Sequence, residues 1–341
     1  MTEVLRLALP SKGMEDDTVA FLRACGLPID RSNPRQYRAR IRGLSDVEVT
    51  FQRAGDIFSK VDEGSVDLGI TGYDVVAEYR HEDDQVIEIV KELGFGRCSL
   101  VLAVPETWID VTSVLDLAEI SALHRQRGRT LRVATKYTNL TRQFLYDHGV
   151  NYFDLFESSG ALEAAPSLGY ADLIADITSS GTTLRENRLK PLDDGTILPS
   201  EACLIGNREA LKKSAHRLER TGQILERMEA YLRARPFFSI TANVQGGTAE
   251  TVARQVIEHS EVAGLQGPTI ARVFPKTPED DSDWYAVTVI VSDDRLNAAV
   301  KAMRRAGGAS ITAVKISYVF EDRSWAYEGL LSALQEDGTS L

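Results

Sequence analysis

The sequence predicts an α/β protein that ends in a separate β-α-β-β-α-β module, and three observations carry this reading. Short apolar runs alternate with helical stretches as far as Ile205, the arrangement of parallel, doubly wound sheets. A long amphipathic stretch, Arg208–Arg235, then repeats Leu211, Leu218, Ile224, Met228 and Leu232 on one helical face, as a core-facing helix does. After Pro236 the pattern restarts as strand, helix, two strands, helix and strand, the order of a ferredoxin-like module.

The elements follow in order. Val4–Leu9 is a strand and Pro10-Ser11-Lys12-Gly13 a turn. Asp16 or Asp17 can cap a helix to Cys25, stopped by Gly26 and Pro28. Val47–Gln52 alternates as a strand, Asp56–Glu63 reads as a helix closed by Gly64, and Val66–Ile70 is a strand running into Thr71-Gly72. Cys98–Val104 is strongly apolar and ends at Pro105. Leu131–Thr135, Asn151–Phe156, Ala171–Ile177 and Ala202–Ile205 are further strands. Between them lie a helix capped by Thr138 or Asn139, a helix opened by Ser158-Ser159-Gly160, and one near Leu184. In the last module Phe237–Val244, Thr269–Phe274, Trp284–Val291 and Ile311–Phe320 are strands. Thr248–Glu258 and Asp294–Ala306 are its helices, and 275–283 is a polar hairpin loop.

Composition narrows the function. A net charge of -11 excludes a general nucleic-acid binder, which needs a basic surface to displace counterions. It leaves room for a small anion held by local cations and backbone amides. No apolar run approaches the roughly 20 residues that cross a bilayer. The first residues lack the basic start and apolar stretch of a signal peptide, so a cytoplasmic location is expected. The three cysteines, Cys25, Cys98 and Cys203, lie far apart and read as buried thiols. The five histidines show no metal-ligand spacing.

The chemistry concentrates in residues 160–189. Asp172 and Asp176, four apart on a strand, face the same side. Asp176 lies at the carboxyl end, where α/β sheets place ligands. Thr178-Ser179-Ser180-Gly181-Thr182-Thr183 follows and leads into a helix. Gly181 lets a backbone approach closely, the hydroxyls donate hydrogen bonds, and the helix start offers unpaired N–H groups to an anion. An acidic residue before such a loop suits ribose hydroxyls or Mg²⁺. The same residues also read as a Ser- or Thr-capped helix and nothing more.

This stretch resembles the signature of the ATP phosphoribosyltransferases at Gly160, Glu163, Ala165, Pro166, Gly169, Ala171, Asp172, Ile174, Asp176, Ser180, Gly181, Thr183, Leu184, Asn187 and Leu189. A second resemblance runs from Leu7 through Ser11-Lys12-Gly13. A third takes Arg53-Ala54-Gly55-Asp56-Ile57, Gly64 and Asp67-Leu68-Gly69-Ile70-Thr71-Gly72-Tyr73-Asp74. Met14 departs from the family, which usually carries a basic residue there, so no substrate contact is carried over to it.

The resemblance implies two periplasmic-binding-protein-like (type II) lobes, 1–100 with 181–234 and 101–180, a regulatory ferredoxin-like domain at 235–320, and an extension at 321–341 with no assigned role. It implies condensation of ATP with phosphoribosyl pyrophosphate (PRPP), with Mg²⁺ as cofactor and histidine as allosteric inhibitor. The oligomer would be built from dimers into hexamers. Asp176, Thr178, Ser179, Ser180, Gly181, Thr182 and Thr183 would hold PRPP, with Glu163 and Asp176 the catalytic carboxylates. Ser11, Lys12, Gly13, Arg53, Asp56, Gly69, Thr71 and Gly72 would hold ATP, and Leu265 and Thr269 histidine. Lys12 and Arg53 are suited to phosphate by charge and by fork geometry. A two-lobed binding protein without catalysis is the alternative on the same fold.

Overall fold

The computed structural model describes residues 3–33, 35–82, 85–157, 162–258, 267–274 and 283–335. The helix start at Ser158-Ser159-Gly160, Leu265 and nearly all of the 275–283 loop lie outside the described residues. The chain forms two units, Met1–Leu225 with Trp325–Leu341, and Glu226–Ser324.

In the first unit, one lobe contains β1 (Leu5–Pro10), α1 (Glu15–Ala24), β2 (Ile29–Asp30), β3 (Arg38–Ile41), β4 (Leu44–Gln52), α2 (Ala54–Asp62), β5 (Leu68–Gly72), α3 (Tyr73–Tyr79) and β6 (Val86–Val90). The other lobe contains β7 (Cys98–Pro105), α4 (Val114–Gln126), β8 (Leu131–Thr135), α5 (Thr138–Asp147), β9 (Phe153–Glu157), β10 (Leu173–Thr178), α6 (Thr182–Glu186) and β11 (Leu189–Ser200). The chain then returns to the first sheet with β12 (Ala202–Asn207), followed by α7 (Arg208–Lys212) and α8 (Ala215–Ala234). The second unit holds β13 (Phe237–Gln245), α9 (Ala249–Ile257), β14 (Thr269–Val273), β15 (Trp284–Ser292), α10 (Leu296–Arg305) and β16 (Ala309–Lys315), after which comes α11 (Trp325–Gln335).

The sheets run β2-β3-β4-β1-β5-β12-β6 and β11-β7-β10-β8-β9. They are mixed rather than wholly parallel, which corrects the expectation. β1 pairs parallel with β4 and β5, and β8 with β9 and β10. β12 and β7, the strands that follow each crossing, are antiparallel to their neighbours. Each crossing arrives where the receiving lobe's parallel strands end, so the next strand must run back against them. The second crossing falls at Ser200–Ala202 rather than near 180. The cause is β11, which pairs with β7 from Leu189↔Pro105 to Ser200↔Cys98 and keeps those residues in the second lobe. Glu201 ties the two crossings together, accepting from Gly94 N (2.7 Å) and Arg97 Nε (3.0 Å).

Both lobes repeat one anchoring device. Asp67, just before β5, accepts from the Arg6 backbone N–H (2.7 Å) and the Arg6 guanidinium (2.7 and 3.2 Å). Asp172, just before β10, accepts from the Arg132 N–H (2.8 Å) and the Arg132 guanidinium (2.8 and 3.3 Å). Each guanidinium also reaches a glycine carbonyl, Gly64 or Gly169, that opens the approach to the strand. The device locks the register of two adjacent parallel strands with charge-assisted bonds.

Two local expectations change. The stretch 208–235 is two helices, because Asn207 caps α7 through Ala210 N (2.7 Å) and Ser214 starts α8 by accepting from Arg217 N (3.2 Å). Neither Thr138 nor Asn139 caps α5. Buried Glu78, on α3 of the other lobe, accepts from the N–H groups of Asn139 (2.9 Å) and Leu140 (3.0 Å). The 321–341 stretch contains α11, whose Leu330 and Leu334 are buried, whose Ala333 carbonyl accepts from Arg208, and whose Tyr327 ring covers Gly222.

The second unit has sheet order β14-β15-β13-β16, the ferredoxin-like arrangement. Ile240, Ala242, Val244, Val287 and Val289 pack on Val252, Val256, Ala299, Ala302 and Met303 of its helices. Among the described residues, no helix is long and apolar enough to cross a membrane.

Candidate active site

Two cavities of the first unit gather most of the expected ligand residues. A cavity of about 190 Å³ is lined by Glu163, Asp176, Thr178, Ser179, Ser180, Thr182 and Thr183. Its floor is the carboxyl end of β10, and its rim is the turn into α6. Gly181 takes φ +70 there, the left-handed region that glycine enters without strain. The Thr178 hydroxyl accepts from Gly181 N (2.9 Å), and the Ser180 and Thr182 hydroxyls meet at 2.9 Å. The turn is thus folded on itself with Ser179, Ser180, Thr182 and Thr183 still open to solvent.

Asp176 is half-sunk in this cavity. Burial pushes its carboxyl above the ordinary range, and the nearby Glu163 charge adds to the push. The Ile177 N–H (2.9 Å) and the positive charge of Lys136 offset part of it. Asp172 does not share the cavity, although its spacing suggested a common face. It precedes the strand and is taken up by Arg132. Burial would raise Asp172 too, but the Arg132 hydrogen bonds outweigh it and hold the carboxyl below the usual carboxylate range.

The second cavity, about 540 Å³, is lined by Ser11, Lys12, Tyr37, Phe51, Gln52, Arg53, Asp56, Ser59 and Lys60. It brings together the turn after β1 and the start of α2, with Lys12, Arg53 and Lys60 contributing positive charge. Gly13, next to Lys12, is exposed at φ +68.

Three residues expected at ATP are instead buried parts of the scaffold. A Cβ on Gly69 would lie 2.5 Å from Ile57 Cγ2, so this glycine lets α2 pack onto β5. Fully buried Thr71 donates to the Ala54 carbonyl (3.0 Å) and fastens the start of the same helix. A Cβ on Gly72 would meet Asp74 Oδ1 at 2.2 Å, so the glycine makes room for that carboxylate.

Asp74 is the centre of a contact that sequence reading passed over. It is 5% exposed, its Oδ1 accepts from Ser200 Oγ (2.7 Å), and its Oδ2 from the Tyr137 hydroxyl (2.6 Å). It therefore joins α3 of one lobe to the β8–α5 loop of the other, beside Glu78. Burial together with the Asp74 charge raises the Tyr137 phenol. Burial and Asp74 also push the Cys98 thiol up to about 11, which leaves it protonated and unsuited to nucleophilic attack.

A family model described as ATP phosphoribosyltransferase matches residues 53–230, just over half of the 341 residues. The chain belongs to the ATP phosphoribosyltransferase family. A second model, the HisG C-terminal domain, matches residues 234–318. The chain is 40% identical to ATP phosphoribosyltransferase 2, chloroplastic, of Arabidopsis thaliana, over 97% of this chain and 81% of the relative. It is 36% identical to the ATP phosphoribosyltransferase of Rhodopseudomonas palustris, over 98% of this chain and 100% of the relative. Among solved structures, a chain of the ATP phosphoribosyltransferase (HisG:HisZ) complex from Thermotoga maritima aligns with 25% identity and a TM-score of 0.49, over 66% of this chain and 97% of that one. The protein is thus a phosphoribosyl-transferring enzyme, a glycosyltransferase at the first step of histidine biosynthesis.

The family's signature spans the floor and rim of the first cavity, but three neighbours of the two cavities are not among the matched positions. Lys136 follows β8 at the level of Asp176, because Ala175 pairs with Thr135 in parallel register. Arg185 bonds to the rim, through Nη1 to the Ser180 carbonyl (3.3 Å) and Nη2 to Thr182 Oγ1 (3.2 Å). Tyr37 projects into the second cavity, 70% exposed. The available signal was a cation at a strand end, a cation one helical turn past the loop, and an aromatic among arginines. Met14 has a packing role, with its sulfur against Gly96.

In the second unit Thr269 lies in a row of threonines across the sheet, Thr269↔Thr288↔Thr241↔Thr312. The row occupies the face opposite the helices.

Proposed function

We propose that the enzyme joins N1 of the adenine of ATP to C1 of PRPP with release of pyrophosphate, and that the cavity around Asp176 holds the phosphoribosyl group. The observation that carries this reading is the closing of Glu163, Asp176 and the Thr178–Thr183 hydroxyls around one cavity at a strand end. The sugar phosphate is received by Thr178, Ser179, Ser180, Thr182 and Thr183, with Gly181 allowing close approach. ATP phosphates lie on Lys12 and Arg53, with Ser11, Gly13 and Asp56 shaping that cavity.

The reaction asks little of a base. Adenine N1 carries a free lone pair, so the residues act by alignment and by electrostatics. The C1–oxygen bond to pyrophosphate breaks as the N1–C1 bond forms, and positive charge gathers on the ribose. Asp176 and Glu163, at the ribose, stabilise that charge. Half-buried Cys98, which departs from the expected three buried thiols, and buried Cys203 take no part.

Mg²⁺ fits these residues as a shared rather than a protein-caged ion. Among the described residues no three acidic, histidine or cysteine side chains cluster to hold a metal, while Glu163 and Asp176 offer a carboxylate pair. One or two carboxylates with substrate phosphates is the usual magnesium arrangement. When bound, the ion neutralises the departing pyrophosphate.

Histidine inhibits from the second unit, at a site that includes Thr269. Separate sites are required because histidine resembles neither substrate. The enzyme works in the cytoplasm as a dimer-based hexamer, without nucleic acid or membrane.

Pyrophosphate release from ATP and PRPP, followed with and without histidine, tests the whole reading. Asp176→Ala is expected to abolish turnover; turnover equal to the parent's would overturn the site. Thr269→Ala is expected to relieve inhibition while leaving uninhibited turnover intact. A substitution is preferable to truncation after Pro236, which would also remove α11 from the catalytic unit.

A further inference from the structure

We propose that Arg185 supplies the positive charge of the sugar-phosphate subsite and thereby sets affinity for PRPP. The inference rests on the reading that the Thr178–Thr183 turn receives the 5-phosphate, and it assigns a role to a residue outside that turn. The subsite has a charge problem. Its hydroxyls and backbone amides are neutral, the ionisable groups that line it, Glu163 and Asp176, are both acidic, and the charge of Lys136 acts on Asp176 at the floor, opposed there by that of Glu163. A phosphate monoester brings between about -1.5 and -2 at neutral pH. Without a cation at the rim, the carboxylates would oppose binding of the group the turn is shaped to hold.

Arg185 is placed to answer this. Its guanidinium lies over Gly181, with Nη1 3.2 Å from where a Cβ would stand. That is the point at which the turn opens. Its Nη1 and Nη2 reach the Ser180 carbonyl and the Thr182 hydroxyl at 3.3 and 3.2 Å, both neutral acceptors and both long. Among the described residues no carboxylate pairs with it, whereas Arg132 of the same lobe is committed to Asp172. The side chain is exposed and carries five N–H donors in a planar fork. Such a fork binds phosphate bidentately, and exchanging weak neutral partners for phosphate oxygens strengthens each bond.

The competing role is a neutral staple that merely closes the turn, and two substitutions separate the roles. Glutamine keeps donors that can reach Ser180 and Thr182 but loses the charge. Lysine keeps the charge but loses the fork. Full-length Arg185→Gln is expected to raise KM for PRPP on the order of tenfold or more, with KM for ATP within about twofold. Arg185→Lys should fall between Gln and the parent. The parent's KM for PRPP should also rise more steeply with ionic strength than that of Arg185→Gln. A parental KM for PRPP in Arg185→Gln, or equal losses in Gln and Lys, overturns the proposal. Thr183→Ala serves as the control on the underlying reading. If it raises KM for PRPP while Arg185→Gln does not, only the role of Arg185 fails. If neither changes KM, the subsite itself is misplaced.

Discussion

Replacing Tyr137 with phenylalanine should loosen the joint between the two lobes of the catalytic unit. The hydroxyl is the only atom lost, and it donates at 2.6 Å to Asp74 Oδ2. Asp74 is 5% exposed, so water cannot readily take the vacated place. Its other oxygen still receives Ser200 at 2.7 Å, which keeps the carboxylate in position but half served. A hydrogen bond to a charged group contributes about 1.5–3 kcal/mol, and leaving such a group unsatisfied costs at least as much. For a unit of this size each kcal/mol corresponds to roughly 2–4 °C in Tm, so a fall of about 3–12 °C is expected. Scanning calorimetry of the full-length chain measures it. Ser200→Ala, alone and combined with Tyr137→Phe, completes a cycle in which the two losses should not add, because both donors serve one carboxylate. If Tyr137→Phe and the double variant with Ser200→Ala both unfold within about 0.5 kcal/mol of the parent, the lobes are not joined through Asp74.

Asp176→Asn should separate stability from activity. The folded pKa of Asp176 is raised by burial, so the folded state holds its proton more tightly than the unfolded chain. Stability is then lost as pH rises from the ordinary carboxylate range through the raised value, and the ionised side chain destabilises the fold at neutral pH. The Asn variant should melt higher than the parent at pH 7, with the gap closing below about pH 3, where the carboxyl is protonated in both states. Its turnover should be lost, and a lower Tm at pH 7 would contradict the assignment. Gly69→Ala should cost about 1–3 kcal/mol by forcing α2 away from β5. Its KM for ATP should hold in the folded fraction, whereas Lys12→Ala should raise that KM; a selective effect of Gly69→Ala on ATP would return the glycine to the binding site. Asp67→Asn strips the charge from a fully buried carboxylate that meets Arg6 and Arg217. It should destabilise by about 3–5 kcal/mol in urea unfolding, and a change under 1 kcal/mol would show that the anchoring pair is dispensable.

Local chemistry was legible from the chain alone. The alternation of strand and helix, the β-α-β-β-α-β order after Pro236, and the hydroxyl turn beyond Asp176 all depend on residues near one another in sequence. Periodicity and turn propensity report such features directly. Lys12 with Arg53 could be placed at one site only through the family resemblance, and the structure brings them to a common cavity. Other features depended on partners far along the chain. Gly69 and Thr71 look like ligand residues in a Gly/Thr-rich strand end, yet α2 covers them. Asp172 repeats the spacing of a catalytic carboxylate, yet Arg132, 40 residues away, claims it. The buried pair Asp74 and Glu78 carries no local mark, because its partners are Ser200 and Tyr137 for the one and the start of α5 for the other. The return crossing lies at Ser200 because β11 pairs with a strand begun at Cys98. Residue order was therefore enough to indicate the strand-helix alternation and the hydroxyl-rich turn, though not β11, α11 or the break between α7 and α8. Only the folded chain settled which polar groups remain open to a substrate, since a carboxylate or hydroxyl is free or engaged according to what tertiary packing brings within about 3 Å of it.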